Sequence, residues 1–175
     1  NEKGILWFLD KVFPKLKERK PKINLQIVGN KPSKKLIKYS EEDQNITVTG
    51  FVDNPYELIL KTSIGIVPLF LGAGIKIKTL EFMSCGIPVV TTDVGIEGIP
   101  AGQKEGVFVT NQVDDFVKAI LYLLDNEAEA KKLGNIAREY VNKEFNFDNN
   151  VEKIDKIYSK IKWLFIMISE EKKDE

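Results

Sequence analysis

The segment Gly72-Ala73-Gly74-Ile75-Lys76-Ile77-Lys78-Thr79-Leu80-Glu81 gathers the residue types from which this chain could most readily build chemistry. Glycines at 72 and 74 let the backbone approach a ligand closely. A helix that opens just beyond them offers unbonded N–H groups and the positive end of its dipole, which suits phosphate. Lys76 and Lys78 fall in that first turn, where cations do nothing for helix stability but make sense beside a docked anion. Glu81 follows on a mostly apolar helix, between Leu80 and Phe82-Met83. A carboxylate there is either hydrogen-bonded at the core's edge or turned toward a ligand. The two adjacent hydroxyls of a ribose would satisfy it. The plain alternatives are solvated lysines on an exposed turn and a core-edge ion pair between Glu81 and a nearby lysine.

Composition removes other chemistries. The 175 residues include no histidine, so His-based triads, HExxH zinc sites and a histidine general base are excluded. The single cysteine, Cys85, permits no disulfide within the chain. It reads as a small buried filler, because a nucleophile would need an activating base. Lys+Arg and Asp+Glu both number 26, and this zero net charge argues against binding nucleic acid through overall charge. No Asp-x-Asp suggests a metal, and no Gly-x-Gly-x-x-Gly opens the chain as it would in a dinucleotide-binding dehydrogenase. A hydrophobic content of 43% with 30% charged residues describes a soluble globular domain. The apolar run Trp163-Leu164-Phe165-Ile166-Met167-Ile168 is far short of the roughly 20 residues a membrane span needs. These features fit a reducing, cytoplasmic setting.

Helix and strand alternate in the elements that must position the segment. Apolar residues at helical spacing predict a helix over 4–19, stopped by Pro21. Strands are predicted at 24–29, 46–50, 63–68, 87–92 and 106–109. Between them lie short helices from Ser33 to Tyr39 and from Asn54-Pro55 to about Lys61, and a helix from Lys76 to Cys85 ended by Gly86. Helices fill about 112–125, 126–144 and 147–169. Strands without polar alternation imply burial on both faces, and hence an α/β fold: a Rossmann-like parallel sheet of about five strands flanked by helices. In such sheets ligands bind at the carboxyl ends of the strands, where the loop after 63–68 lies. Residues 1–145 are read as one domain, 146–169 as a C-terminal helix and 170–175 as a charged tail.

The block from Gly72 to Thr92 resembles the signature of the group 1 glycosyltransferases, retaining enzymes of the GT-B fold that use nucleotide-sugars. Gly95-Ile96-Glu97-Gly98-Ile99 is similar to the family's short Gly-x-Glu-Gly loop. Gly4-Ile5-Leu6-Trp7-Phe8, Val12-Phe13-Pro14, Ile27-Val28-Gly29 and Thr49-Gly50-Phe51-Val52 fall in the family's order. The resemblance covers roughly residues 1–145. It implies the C-terminal, donor-binding half of a GT-B fold, binding a nucleotide diphosphate-sugar for retaining transfer to an acceptor hydroxyl in glycan or polysaccharide synthesis.

By that resemblance Glu81 holds the ribose hydroxyls. Gly72 and Gly74 bring amides to the diphosphate and sugar, Lys76 or Lys78 supports the phosphates, and Val52 lines the base. Lys3-Gly4 falls where many relatives carry a diphosphate lysine. No metal or cofactor is implied, and the leaving phosphate could itself take the acceptor's proton. Two departures stand out. Ala73 occupies the position, eight before Glu81, where the family often has a sugar-contacting glutamate. The family's first strand, with its phosphate-binding arginine, is also missing. The loss of that strand should leave 24–29 and 63–68 flanking a gap or pairing directly. The expected partners are the donor, an acceptor glycan or lipid-linked glycan, and an N-terminal domain of the same enzyme. The final helix should reach toward that domain, and the whole enzyme would be cytoplasmic, with the membrane's inner face as a peripheral site. Without the acceptor half the fragment is expected to be inactive, and no catalytic residue is assigned. The competing reading is a non-catalytic nucleotide-sugar-binding module. A GT-B-fold epimerase is weaker still, since no acid/base pair stands out.

Overall fold

The computed structural model describes the backbone of residues 2–171, with all side chains in that range except those of 149 and 161–171. It divides into two compact units, Asn1–Arg138 and Glu139–Glu175.

The first unit opens with α1 (Glu2–Trp7), a π-turn (Phe8–Val12) and α2 (Phe13–Arg19). The continuous α-helix predicted over 4–19 is thus corrected: its middle is wound to i+5, with the Phe13 N–H donating to the Phe8 carbonyl. Pro14 accounts for the change, since it has no N–H to continue the α-helical ladder and its ring crowds the preceding turn. The helix ends where Lys20, ahead of Pro21, leaves helical geometry at φ −132° and ψ 76°.

Five parallel strands follow in sequence: β1 (Leu25–Ile27), β2 (Ile46–Val48), β3 (Gly65–Val67), β4 (Val89–Thr91) and β5 (Val107–Val109). They are shorter than the sequence predicts. Pro68 and Pro88 flank β3 and β4 without an N–H to extend the ladder. The strands form two ladders, β1–β2 and β3–β4–β5, the latter with β4 central. β1 and β3 are not hydrogen-bonded to each other, so the break falls where the sequence reading leaves room for a strand this chain does not supply.

Helices α3 (Lys34–Glu42), α4 (Tyr56–Ile59), α5 (Ile77–Ser84), α6 (Val113–Asp125) and α7 (Glu127–Glu144) complete the unit, α7 running on past its end. Ser33 caps α3 as read, its Oγ accepting from the Leu36 N–H at 3.3 Å. One apolar cluster joins both ladders: Phe8, Leu9, Val12, Phe13 and Leu16 pack with Ile27 and Ile46, with Val90, and with Phe116, Ile120 and Leu123 of α6. The second unit continues into α8 (Phe147–Glu171), on which Ile154, Ile157 and Tyr158 are exposed. The side chains of Ile161, Trp163 and Leu164, and most of the charged tail, lie outside the described residues.

Asp43, beyond α3, accepts from Lys17 of α2 at 2.6 Å and from the Asn45 N–H at 3.0 Å. These bonds, the Lys17 contact first, hold its carboxyl below the ordinary value of 3.8. A carboxyl so lowered stabilises the fold above its ordinary pKa and loses that contribution as pH falls through the folded value. Asp43→Asn is therefore expected to flatten the loss of stability below about pH 4, read by urea unfolding at stepped pH. Parallel profiles for variant and parent would contradict this.

Candidate functional site

The carboxyl end of β3 runs through Pro68 into the glycine loop and α5. Gly72 and Gly74 take φ of +134° and +79°, the region where a side chain is strained. This backbone makes no internal hydrogen-bond ladder: among the described residues, no amide from Phe70 to Lys78 donates a hydrogen bond to the protein. Ile77 and Lys78 are the first residues of α5, so their N–H groups are open helix-start donors. The segment is, among the described residues, a strip of undonated amides ending on a positive dipole end.

What lies beneath the strip is rigid. Thr91, at the end of β4, donates from Oγ1 to the Val67 carbonyl at 2.7 Å, and Thr92 donates to the Leu69 carbonyl. Thr79 of α5 donates to the Gly95 carbonyl at 2.6 Å, while the Gly95 N–H reaches Thr92 Oγ1 at 3.2 Å. All three threonines are buried. They tie β3, β4, α5 and the Val94–Ile96 turn into one unit whose polar atoms are satisfied. Gly86 closes α5 with φ +75°, its N–H donating to Met83 and that of Ile87 to Phe82, a Schellman pair that turns the chain into β4.

The two lysines part company. The sequence reading sets both in the first turn, but α5 begins at Ile77, so Lys76 is its N-cap. Its side chain is only 7% exposed. Nζ donates to the Gly74 carbonyl at 2.8 Å and pairs with Glu97 Oε2 at 3.0 Å. Lys78 is exposed. Glu81 is half-buried, and among the described residues its carboxylate has neither hydrogen bond nor ion pair, so the core-edge ion pair weighed above is not what the structure contains. Val52 is half-buried in the turn after β2, which begins with Gly50 at φ +73°. The Gly50 carbonyl accepts from the Gly29 N–H at 3.3 Å, linking the ends of β1 and β2. Gly72, Gly74, Lys76, Lys78 and Glu81 therefore share one stretch at the end of β3. Val52 belongs to the other ladder, and no hydrogen bond, ion pair or ring contact between described residues joins it to them.

Sequence reasoning missed the threonine net and the partner of Lys76. Two signals were present: polar residues in otherwise apolar elements at 79, 91 and 92, and an acid set between glycines at 97.

Known proteins resemble this chain in sequence and in fold. The family described as Glycosyl transferases group 1 matches residues 1–126. The chain belongs to that family. A protein of Klebsiella pneumoniae, described as an uncharacterized 44.6 kDa protein in a cps region, is 29% identical over 168 residues, 92% of this chain and 42% of its own length. TarM of S. aureus, solved as a variant with Fondaparinux, alpha-GlcNAc-glycerol and UDP, superposes with a TM-score of 0.68 at 21% identity, over 82% of this chain and 30% of TarM. Anabaena HepE, solved with UDP, gives 0.65 at 14% identity, over 79% of this chain and 41% of HepE. The fold is thus that of a GT-B glycosyltransferase domain, and the chain spans about two fifths of the Klebsiella relative. No described helix is long and apolar enough to cross a membrane.

Proposed function

We propose that this chain is the donor-binding part of a glycosyltransferase that moves a sugar from a nucleoside diphosphate to an acceptor hydroxyl with retention, in the assembly of a cytoplasmically made glycan. The observation that carries the reading is the strip of undonated amides from Phe70 to Lys78, set on a buried net and followed by an unpartnered carboxylate at Glu81. Diphosphate oxygens need several donors at once, and the amides of Gly72 to Lys78 with the Lys78 ammonium supply them without a metal. These groups are fixed before the bond breaks, so they stabilise the charge that grows on the leaving diphosphate without reorganisation. Glu81, one turn into α5, accepts the paired ribose hydroxyls, and the Gly50–Val52 turn lines the base. Ala73 offers the sugar no charged partner, so sugar contacts come from backbone or from the acceptor-binding part of the enzyme.

The test is calorimetric titration with UDP and GDP. UDP is expected to bind the chain saturably and more tightly than about 1 mM, since HepE and TarM were solved with it. No heat from either nucleotide at millimolar concentration would overturn the proposal. Sugar transfer by the chain joined to an acceptor-binding half would exclude the non-catalytic module, and binding without turnover in that joined protein would favour it.

A further inference from the structure

Lys76 is a charged side chain placed where a phosphate-binding loop would seem to want one, yet its ammonium faces inward. We propose that Glu97 is a positioning residue which, through Lys76, holds the Phe70–Lys78 segment in the conformation that leaves its amides undonated, and touches no part of the donor. This rests on the donor-site reading above.

The geometry has three parts. First, the Lys76 ammonium is folded back onto its own loop. It donates to the Gly74 carbonyl at 2.8 Å, and a Cβ built on Gly72 would lie 3.7 Å from Nζ. With the Gly74 carbonyl turned to the ammonium, the Ile75 N–H of the same trans peptide plane points the opposite way. Second, Glu97 neutralises that ammonium at 3.0 Å. A lysine 7% exposed without a counter-charge would be costly to bury. Third, Glu97 stands on a fixed base. Gly95, two residues before it, is bonded through its N–H to Thr92 and through its carbonyl to Thr79. Gly98, just after it, approaches the other loop so closely that a Cβ there would lie 2.9 Å from Ile75 Cγ1. Glu97 itself is half exposed, at 52%, so its retention on Lys76 is not forced by burial. The clasp joins the Gly-x-Glu-Gly loop to the glycine loop, two segments 21 residues apart in sequence.

The experiment uses the 175-residue chain and titrates parent, Glu97→Ala, Glu97→Gln and Lys76→Met with UDP and UMP. Glu97→Ala is expected to weaken UDP by about tenfold, while UMP, which lacks the outer phosphate, changes by less than about threefold. Glu97→Gln keeps an acceptor for Lys76 and should recover most of the loss. Lys76→Met should match Glu97→Ala, and the double variant should be no worse than either single, as expected for two members of one device. In parallel, backbone order parameters of residues 71–76 should fall toward the flexible range, below about 0.6, in Glu97→Ala. Unchanged UDP affinity with unchanged order parameters would overturn the clasp. So would tighter UDP binding in Glu97→Ala, which would show that Glu97 competes with phosphate for the ammonium. If the parent binds neither nucleotide, the donor reading fails separately, and the order parameters alone decide whether Glu97 holds the loop.

Discussion

Gly95→Ala is expected to lower the melting temperature of the chain by about 5–15 °C, the consequence of a loss of about 2–5 kcal/mol. The reason is steric and specific. A Cβ at Gly95 would stand 2.0 Å from Thr91 Oγ1 and 2.7 Å from the Val67 carbonyl. Thr91 can rotate away only by giving up its bond to that same carbonyl, leaving a buried hydroxyl without its acceptor. Val67 cannot yield without bending β3, whose ladder to β4 runs through the Val67–Thr91 pair. Relief by moving the Val94–Ile96 turn would break the Gly95 bonds to Thr79 and Thr92. Gly29→Ala is the matched control: nothing lies within 4 Å of its Cβ position, and the same methyl there should leave thermal unfolding nearly unchanged. Thermal denaturation followed by circular dichroism reads both. A Gly95→Ala midpoint within about 1 °C of the parent would show that the net is softer than its geometry.

The second large effect is on binding. Glu81→Ala is expected to weaken UDP by about 10- to 150-fold, the value of charge-assisted hydrogen bonds of about 1.5–3 kcal/mol. Because the carboxylate has no polar partner among the described residues, its removal breaks no hydrogen bond or ion pair among them. The melting temperature without nucleotide should therefore stay close to the parent's, and that separates a binding role from a structural one. Deoxyuridine diphosphate, which retains only one of the two ribose hydroxyls, should bind parent and variant more nearly alike. Equal UDP affinities for parent and Glu81→Ala would remove Glu81 from the site.

The sequence shows plainly those features whose causes are local. Ser33 before α3, Gly86 after α5 and Pro21 after α2 act through the backbone of their own neighbours, and each does what its residue type requires. The glycine loop, α5 and Glu81 were legible as a unit for the same reason. What escaped depends on groups distant in the chain meeting in space. The inward turn of Lys76 needs Glu97. The burial of Thr79 needs the Gly95 carbonyl. The division into two ladders was legible only through the family resemblance, which left open whether 24–29 and 63–68 flank a gap or pair directly, and the structure leaves them unpaired.

That division bears on how the proposed binding surface adjusts. The Val52 turn rides on one ladder and the Phe70–Lys78 strip on the other, and the two ladders share apolar side chains rather than a hydrogen-bonded strand pair. Small sliding of one against the other repacks Phe8, Val12 and their neighbours without rupturing a single interstrand bond. The spacing between the Val52 turn and the Phe70–Lys78 strip is in that sense a soft coordinate, while each ladder remains stiff within itself.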